Sequence, residues 1–141
     1  MTITSEQRRL VRQRAGNCCE YCRISQAARF VSFQVDHIIA VKHNGTDTDD
    51  NLCLACYECN AYKGSNIAAL DPLTQQAAKL YHPRQQEWDE HFGISADATL
   101  IGLTPEGRTT VFVLRLNDEE RVKQRLGELM IDAYPCQKEE L

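Results

Sequence analysis

Residues 35–64 read VDHIIAVKHNGTDTDDNLCLACYECNAYKG. The stretch opens on β-branched residues, turns at Asn44-Gly45, crosses a polar loop and closes on a Cys-x-x-Cys pair followed by Gly64. Working outward, residues 30–41, FVSFQVDHIIAV, are rich in β-branched and aromatic side chains and predict a strand. Asn44-Gly45 predicts a tight turn. Residues 51–64 begin as a loop or short turn and become helical near Cys56, with Gly64 as the C-cap.

Upstream lies RAGNCCEYC, residues 14–22, with a second pair. Cys19-x-x-Cys22 and Cys56-x-x-Cys59 are separated by 33 residues. Four thiolates suit tetrahedral Zn²⁺, and each two-residue gap lets a pair grip one ion as a knuckle. The separation exceeds that of a simple zinc ribbon, so an element carrying Asp36-His37 is inserted between the knuckles. Seven cysteines cannot all pair within one chain. The first ten residues, MTITSEQRRL, lack the apolar run of a secretory signal, so the expectation is a cytoplasmic chain with reduced thiols. On that expectation Cys18 is a spare or alternative ligand, and Cys53 and Cys136 are buried apolar residues.

The remaining chain reads as a mixture of elements. TSEQRRLVRQRA, residues 4–15, predicts a helix capped by Thr4 or Ser5. Ile3, Leu10, Val11 and Ala15 lie on one side, Arg8, Arg9 and Arg12 on the other, and Gly16-Asn17 ends the helix. Asp71-Pro72 and His82-Pro83 mark turns around a short amphipathic stretch, TQQAAKLY. Thr99–Leu103 and Thr109–Leu116 predict two strands joined by Pro105-Glu106-Gly107. Asn117 then caps a helix, DEERVKQRLGELM, with Val122, Leu126 and Leu129 on its inner face. Trp88, His91 and Phe92 read as packing residues, Asp47, Asp49 and Asp50 as a polar loop, and the QKEEL end as frayed. The order implies an α+β fold. Residues 1–66 form the core with the metal site, and residues 67–141 are an extension packed on it.

Length, 141 residues, suits one domain. The net charge of −4 argues against a simple nucleic-acid binder. Its distribution qualifies that: residues 1–66 hold eight Lys/Arg against seven Asp/Glu, and residues 67–141 hold eight against thirteen. A local basic patch can steer a polyanion even on an acidic chain, and the acidic half is a candidate docking surface for a protein partner.

The motif run RAGNCCEYC…VDHIIAVKHNG…NLCLACYECNAYKG, over about residues 12–66, resembles the HNH endonuclease family, in particular small bacterial members with a four-cysteine zinc site. Asp71-Pro72, His82-Pro83-Arg84, Trp88-x-x-His91-Phe92 and LTPEGR resemble the tail of one bacterial subgroup. The resemblance implies a ββα-metal core, in which a hairpin and a helix grip a divalent ion; the C-terminal hairpin and helix read above form the extension. It implies that His37 is the general base, that Asp36 is a ligand of the catalytic metal, and that Asn51 holds the hairpin loop. Asn60 stands at the third signature position, often His in the family, so the pattern here is HNN. DNA is the implied substrate.

Chemistry supports the same roles. Neutral imidazole removes a proton from water near pH 7. Asp and Asn oxygens suit Mg²⁺ or Mn²⁺, which polarise a phosphoryl group and stabilise the departing oxygen. Lys63, Arg8 and Arg12 are candidates for phosphate contact. Strand alternation places Asp36 and His37 on opposite faces unless the strand bends or ends there. The rival reading is a non-catalytic zinc module that binds nucleic acid or protein.

Overall fold

Helix α1 (Ser5–Ala15) is defined at both ends by local chemistry. Thr4 Oγ1 accepts from the Gln7 amide at 3.1 Å while Gln7 Oε1 accepts from the Thr4 amide at 3.0 Å, a reciprocal capping box. Gly16, at φ 62°, closes the helix in the left-handed region. The computed structural model describes residues 3–137. Val11 and Ala15 are buried, but Leu10 is 41% exposed, so the apolar stripe is narrower than expected.

Strand β1 (Gln34–His37) pairs antiparallel with β2 (Leu52–Ala55), placing His37 opposite Leu52 and Asp36 opposite Cys53. The strand expected over residues 30–41 is cut to these four. Phe30 and Val31 are exposed, and beyond His37 the backbone is claimed by Asn51. Its carbonyl accepts from the Ile38 amide at 2.8 Å, and its Oδ1 from the Ile39 amide at 2.9 Å. Val41–His43 and Asp49–Asn51 form short 3-10 turns. Helix α2 (Tyr57–Lys63) follows β2 directly, with the Cys56 Sγ accepting from the Cys59 amide at 3.4 Å.

Beyond this unit come two further antiparallel hairpins, β3 (Ala68–Leu70) with β4 (Ala77–Lys79), and β5 (Phe92–Ile94) with β6 (Leu100–Gly102). The TQQAAKLY stretch thus contributes a strand. Short helix α3 (Trp88–His91) leads into β5. The second strand expected at Thr109–Leu116 is instead helix α4 (Pro105–Val113). Thr104 Oγ1 caps it by accepting from the Gly107 amide at 3.0 Å, and Pro105 occupies the first turn, so the capping signal overrides β-branched propensity. Gly107 is needed there: a Cβ would lie 2.0 Å from the His91 carbonyl oxygen. The extension thus carries two hairpins, and β6, within the expected Thr99–Leu103 strand, pairs with β5 rather than with residues 109–116.

Helix α5 (Glu119–Met130) starts at Asp118 rather than Asn117, whose amide is spent on Leu100, accepting from its N–H at 2.9 Å and donating to its carbonyl at 2.8 Å. The face of α5 that is buried carries Arg121, Arg125 and Glu128, whereas Leu126 is exposed. The expected apolar face is met in part: Leu129 packs against the core, Leu126 does not, and the buried positions of the helix are charged.

One apolar cluster joins the two halves, including Val11, Tyr21, Leu54, Trp88, Phe92, Leu100 and Leu116. Trp88 Nε1 donates to the Tyr21 carbonyl at 2.8 Å, and Tyr134 Oη to that of Cys22 at 2.6 Å. Cys18 is disulfide-bonded to Cys136, across 118 residues of sequence. Neither is a spare ligand or a buried thiol, which corrects the expectation for these two, whereas Cys53 is a free, buried cysteine as expected. Their pairing follows from the chain end folding back, with the Cys136 amide donating to the Arg23 carbonyl at 2.8 Å. Most of the QKEEL end lies outside the described residues. No described helix is long and apolar enough to cross a membrane.

Candidate active site and metal centre

The four cysteines Cys19, Cys22, Cys56 and Cys59 converge, with all Sγ atoms within 4.8 Å of one another and every residue buried. Cys22 and Cys56 sulfurs are 3.7 Å apart. Four sulfurs placed tetrahedrally at ~2.3 Å from one ion lie about 3.8 Å apart, so the cluster fits a structural metal such as zinc. Backbone amides reinforce it: Cys22 and Cys56 donate to Cys19 Sγ at 3.5 and 3.3 Å. The zinc free energy, ~10–16 kcal/mol apparent in small peptides, counts toward folding.

Arg121 completes this centre from α5. Its Nη2 donates to Cys59 Sγ at 3.0 Å and Cys56 Sγ at 3.6 Å, and its Nη1 to the Leu114 carbonyl at 2.7 Å. Burial opposes its charge, but the thiolates of Cys59, Cys22 and Cys56 outweigh burial and hold the guanidinium above its ordinary value. Nothing in the spacing marks Arg121, which lies 62 residues beyond Cys59.

A second constellation lies at the hairpin. His37 projects from the end of β1, with a quarter of its side chain exposed, and its Nε2 is 2.7 Å from Asp47 Oδ1. With the ring proton on Nε2 donated to the carboxylate, Nδ1 carries the free lone pair. Asp47 was expected only as a loop acid; the signal for it is a carboxylate in the turn between the motif His and Asn. Asn51 ties that turn together, donating through Nδ2 to the carbonyls of Ile39 at 2.9 Å and Thr46 at 2.8 Å.

Asp36 is on the other face of β1, buried against α2. Lys63 Nζ is 3.1 Å from its Oδ2, and Tyr21 Oη donates to the same oxygen at 3.4 Å. Burial pushes the carboxyl above its ordinary value, against the pull of the Lys63 ammonium. These contacts all fall on Oδ2, which leaves Oδ1 as the remaining donor. Asn60 is one turn before Lys63 on α2 and is half-buried. Lys63 itself is buried and also donates to the His37 carbonyl at 3.0 Å. It therefore braces β1 against α2, and the expectation that it contacts phosphate is corrected. Arg12 donates to the Phe33 carbonyl at 2.7 Å, holding α1 to the approach of β1, whereas Arg8 is exposed.

A hairpin and helix are clasped by a four-cysteine centre fit for a structural metal, with an imidazole–carboxylate pair at the hairpin end. The comparison with known families agrees: residues 19–66 match the family model described as HNH endonuclease. That span includes both knuckles, Asp36-His37, Asn51 and Asn60. No curated protein matches the chain.

Proposed function

We propose that the chain is a metal-dependent endonuclease of the ββα-metal type that hydrolyses phosphodiester bonds of DNA. The observation that carries the reading is the His37–Asp47 pair at 2.7 Å, at a partly exposed strand end within the segment that matches the HNH endonuclease model. A module that only binds has no use for an oriented imidazole there. In this reading Asp36 Oδ1 and the Asn60 side-chain oxygen would hold Mg²⁺ or Mn²⁺, a donor set of hard oxygens that fits such an ion. When bound, the ion supplies charge neutralisation at the phosphoryl group and the departing oxygen.

The chain's own residues do the rest. Because β1 ends at His37, the two faces border one phosphate in this reading: His37 Nδ1 takes a proton from water as its oxygen bonds to phosphorus, and the P–O bond to the leaving strand breaks. Asp47 keeps the ring in the tautomer with Nδ1 free and stabilises the imidazolium that forms. Asn51 holds the Ile39 and Thr46 carbonyls so that Asp47 stays in register with His37. Arg8 and the remaining donors of Arg12 stand ready for backbone phosphates.

The test is plasmid cleavage by the zinc-loaded chain, with Mg²⁺ or Mn²⁺ supplied or withheld, comparing the parent with His37→Ala. The expected result is metal-dependent cleavage that drops ~10²–10⁴-fold in the variant, the range for loss of a general base, with zinc content and circular dichroism unchanged. Equal cleavage by both proteins would overturn the mechanism.

A further inference from the structure

A cavity of about 590 Å³ opens where α1, the turn at residues 49–50 and the segment 81–88 meet. Arg14, Arg23 and Arg84 line it, with Trp88 in its wall. Few of their donors are used. Arg14 donates to the carbonyls of Asp49 at 3.0 Å and Leu52 at 2.7 Å. Arg84 pairs with the buried Glu20 carboxylate. The Arg23 guanidinium rests 5.4 Å from the centre of the Trp88 ring. Among the described residues neither Arg14 nor Arg23 has a carboxylate partner, and the Nε of all three arginines is buried without an acceptor.

Unpaired buried donors are costly, and more so when charged. Burial and the facing charge of Arg14 push Arg84 down to about 10. An anion in the cavity would meet the guanidinium η nitrogens, of which those of Arg23 make no hydrogen bond among the described residues, and would offset the facing charges of Arg14 and Arg84. The guanidinium fork matches phosphate oxygens in pairs, so the anion that fits is a phosphate. Asp49, Asp50 and Glu87 also line the cavity, but they are exposed, where solvent screens them. Inside, Glu20 offsets one arginine of the three.

We propose that this cavity is a phosphate subsite that takes one phosphate group of the nucleic-acid strand cleaved at His37. The nuclease reading supplies the identity of the strand; the arginine cage does not depend on it. The two sites are joined through the chain: Arg14 anchors Leu52, the register partner of His37, and Asp49, two residues from Asp47 and from Asn51. A strand held at the cavity thus bears on the segment that orients the catalytic imidazole.

The test uses the full zinc-loaded chain carrying His37→Ala, so that DNA is bound but not consumed. Fluorescence anisotropy gives the affinity for a labelled DNA duplex over about 50–200 mM salt, with and without Arg23→Gln. Arg23→Gln is expected to weaken binding about tenfold and to reduce the log–log salt slope by about one, the signature of one lost phosphate contact. Arg23→Lys is expected to restore the slope. In a second arm, inorganic phosphate at matched ionic strength raises the melting temperature of the parent but not of Arg23→Gln. An unchanged affinity and slope in Arg23→Gln overturns the proposal. A phosphate effect that depends on Arg23, with DNA binding indifferent to it, overturns the assignment to a strand in favour of a free phosphate ligand. Should Arg23→Gln fail to hold zinc, Arg14→Gln is read in the same assay with the same expected loss of slope. Cleavage by the wild-type chain separates the two readings: Arg23-dependent binding without cleavage sinks the nuclease and leaves the subsite, whereas cleavage with Arg23-independent binding sinks only the subsite.

Discussion

Replacing Arg121 by Met keeps an unbranched apolar stem in the α5 interface but withdraws the guanidinium from the cysteine centre. Two charged N–H donors, at 3.0 Å from Cys59 Sγ and 3.6 Å from Cys56 Sγ, are lost. Four thiolates around one Zn²⁺ leave a net charge of about −2, and Arg121 is the cation buried against it. Partners of this outer kind change metal affinity by roughly 10–100-fold, which is about 1.4–2.7 kcal/mol. The Leu114 carbonyl also loses its donor, at a cost of roughly 1 kcal/mol. Against ~10–16 kcal/mol for zinc itself, the variant still folds when metal is plentiful. Its deficit then grows as free zinc is lowered, because stability follows the metal by mass action. Competition with a chromophoric zinc chelator measures the affinity, and thermal melts at two zinc activities measure the stability. Arg121→Lys, which keeps charge but not the fork, should fall between. Zinc affinity of Arg121→Met within twofold of the parent, with the same melting temperature at both zinc levels, would refute the charge-compensation argument.

Asp47→Asn should leave zinc content and melting temperature near the parent while lowering plasmid cleavage on the order of 10²-fold, mainly in kcat, because the amide no longer stabilises the imidazolium; parent-like cleavage counts against the pairing. Cys136→Ser opens a loop of 118 residues and should lower stability by roughly 4 kcal/mol in urea unfolding at fixed zinc, against which an unchanged midpoint would tell. The Arg108 guanidinium donates to both Asp71 oxygens, at 3.0 and 2.8 Å, and holds that carboxyl well below the usual carboxylate range. The stability it contributes is present above pH ~4, the unfolded carboxylate value, and is lost as pH falls through the lowered folded value. Arg108→Gln should accordingly be less stable than the parent at neutral pH, with the gap closing toward pH ~2; a gap independent of pH in urea titrations would contradict the pairing.

The parts of the molecule legible from residue order are those governed by short-range chemistry. Two Cys-x-x-Cys pairs announce one metal because a two-residue gap already sets the bite of each knuckle. Thr4, Gly16 and Gly64 announce helix ends because capping is decided within four residues. Asp36, His37, Asn51 and Asn60 were legible as a motif, though not in their surroundings.

Misread segments were those where a long-range partner or a cap competed with propensity. Residues 109–113 carry β-branched side chains, yet Thr104 and Pro105 start a helix there. On α5 the charged Arg121 and Arg125 are buried more deeply than the apolar Leu126 and Leu129, because Arg121 has thiolates to meet and Arg125 has the Ala98 carbonyl at 2.9 Å. A charge is expelled from a core unless a partner waits for it, and no local pattern reports the partner.

Sequence alone therefore determined which residues carry the metal chemistry and the candidate base, since these depend on residue type and spacing. Only the tertiary structure decided that Asp47 faces His37, that Lys63 braces Asp36, that Cys18 meets Cys136, and that three arginines from distant segments share one cavity. Each of those is a meeting that residue type and spacing do not report, made by packing and electrostatics once the apolar core has closed.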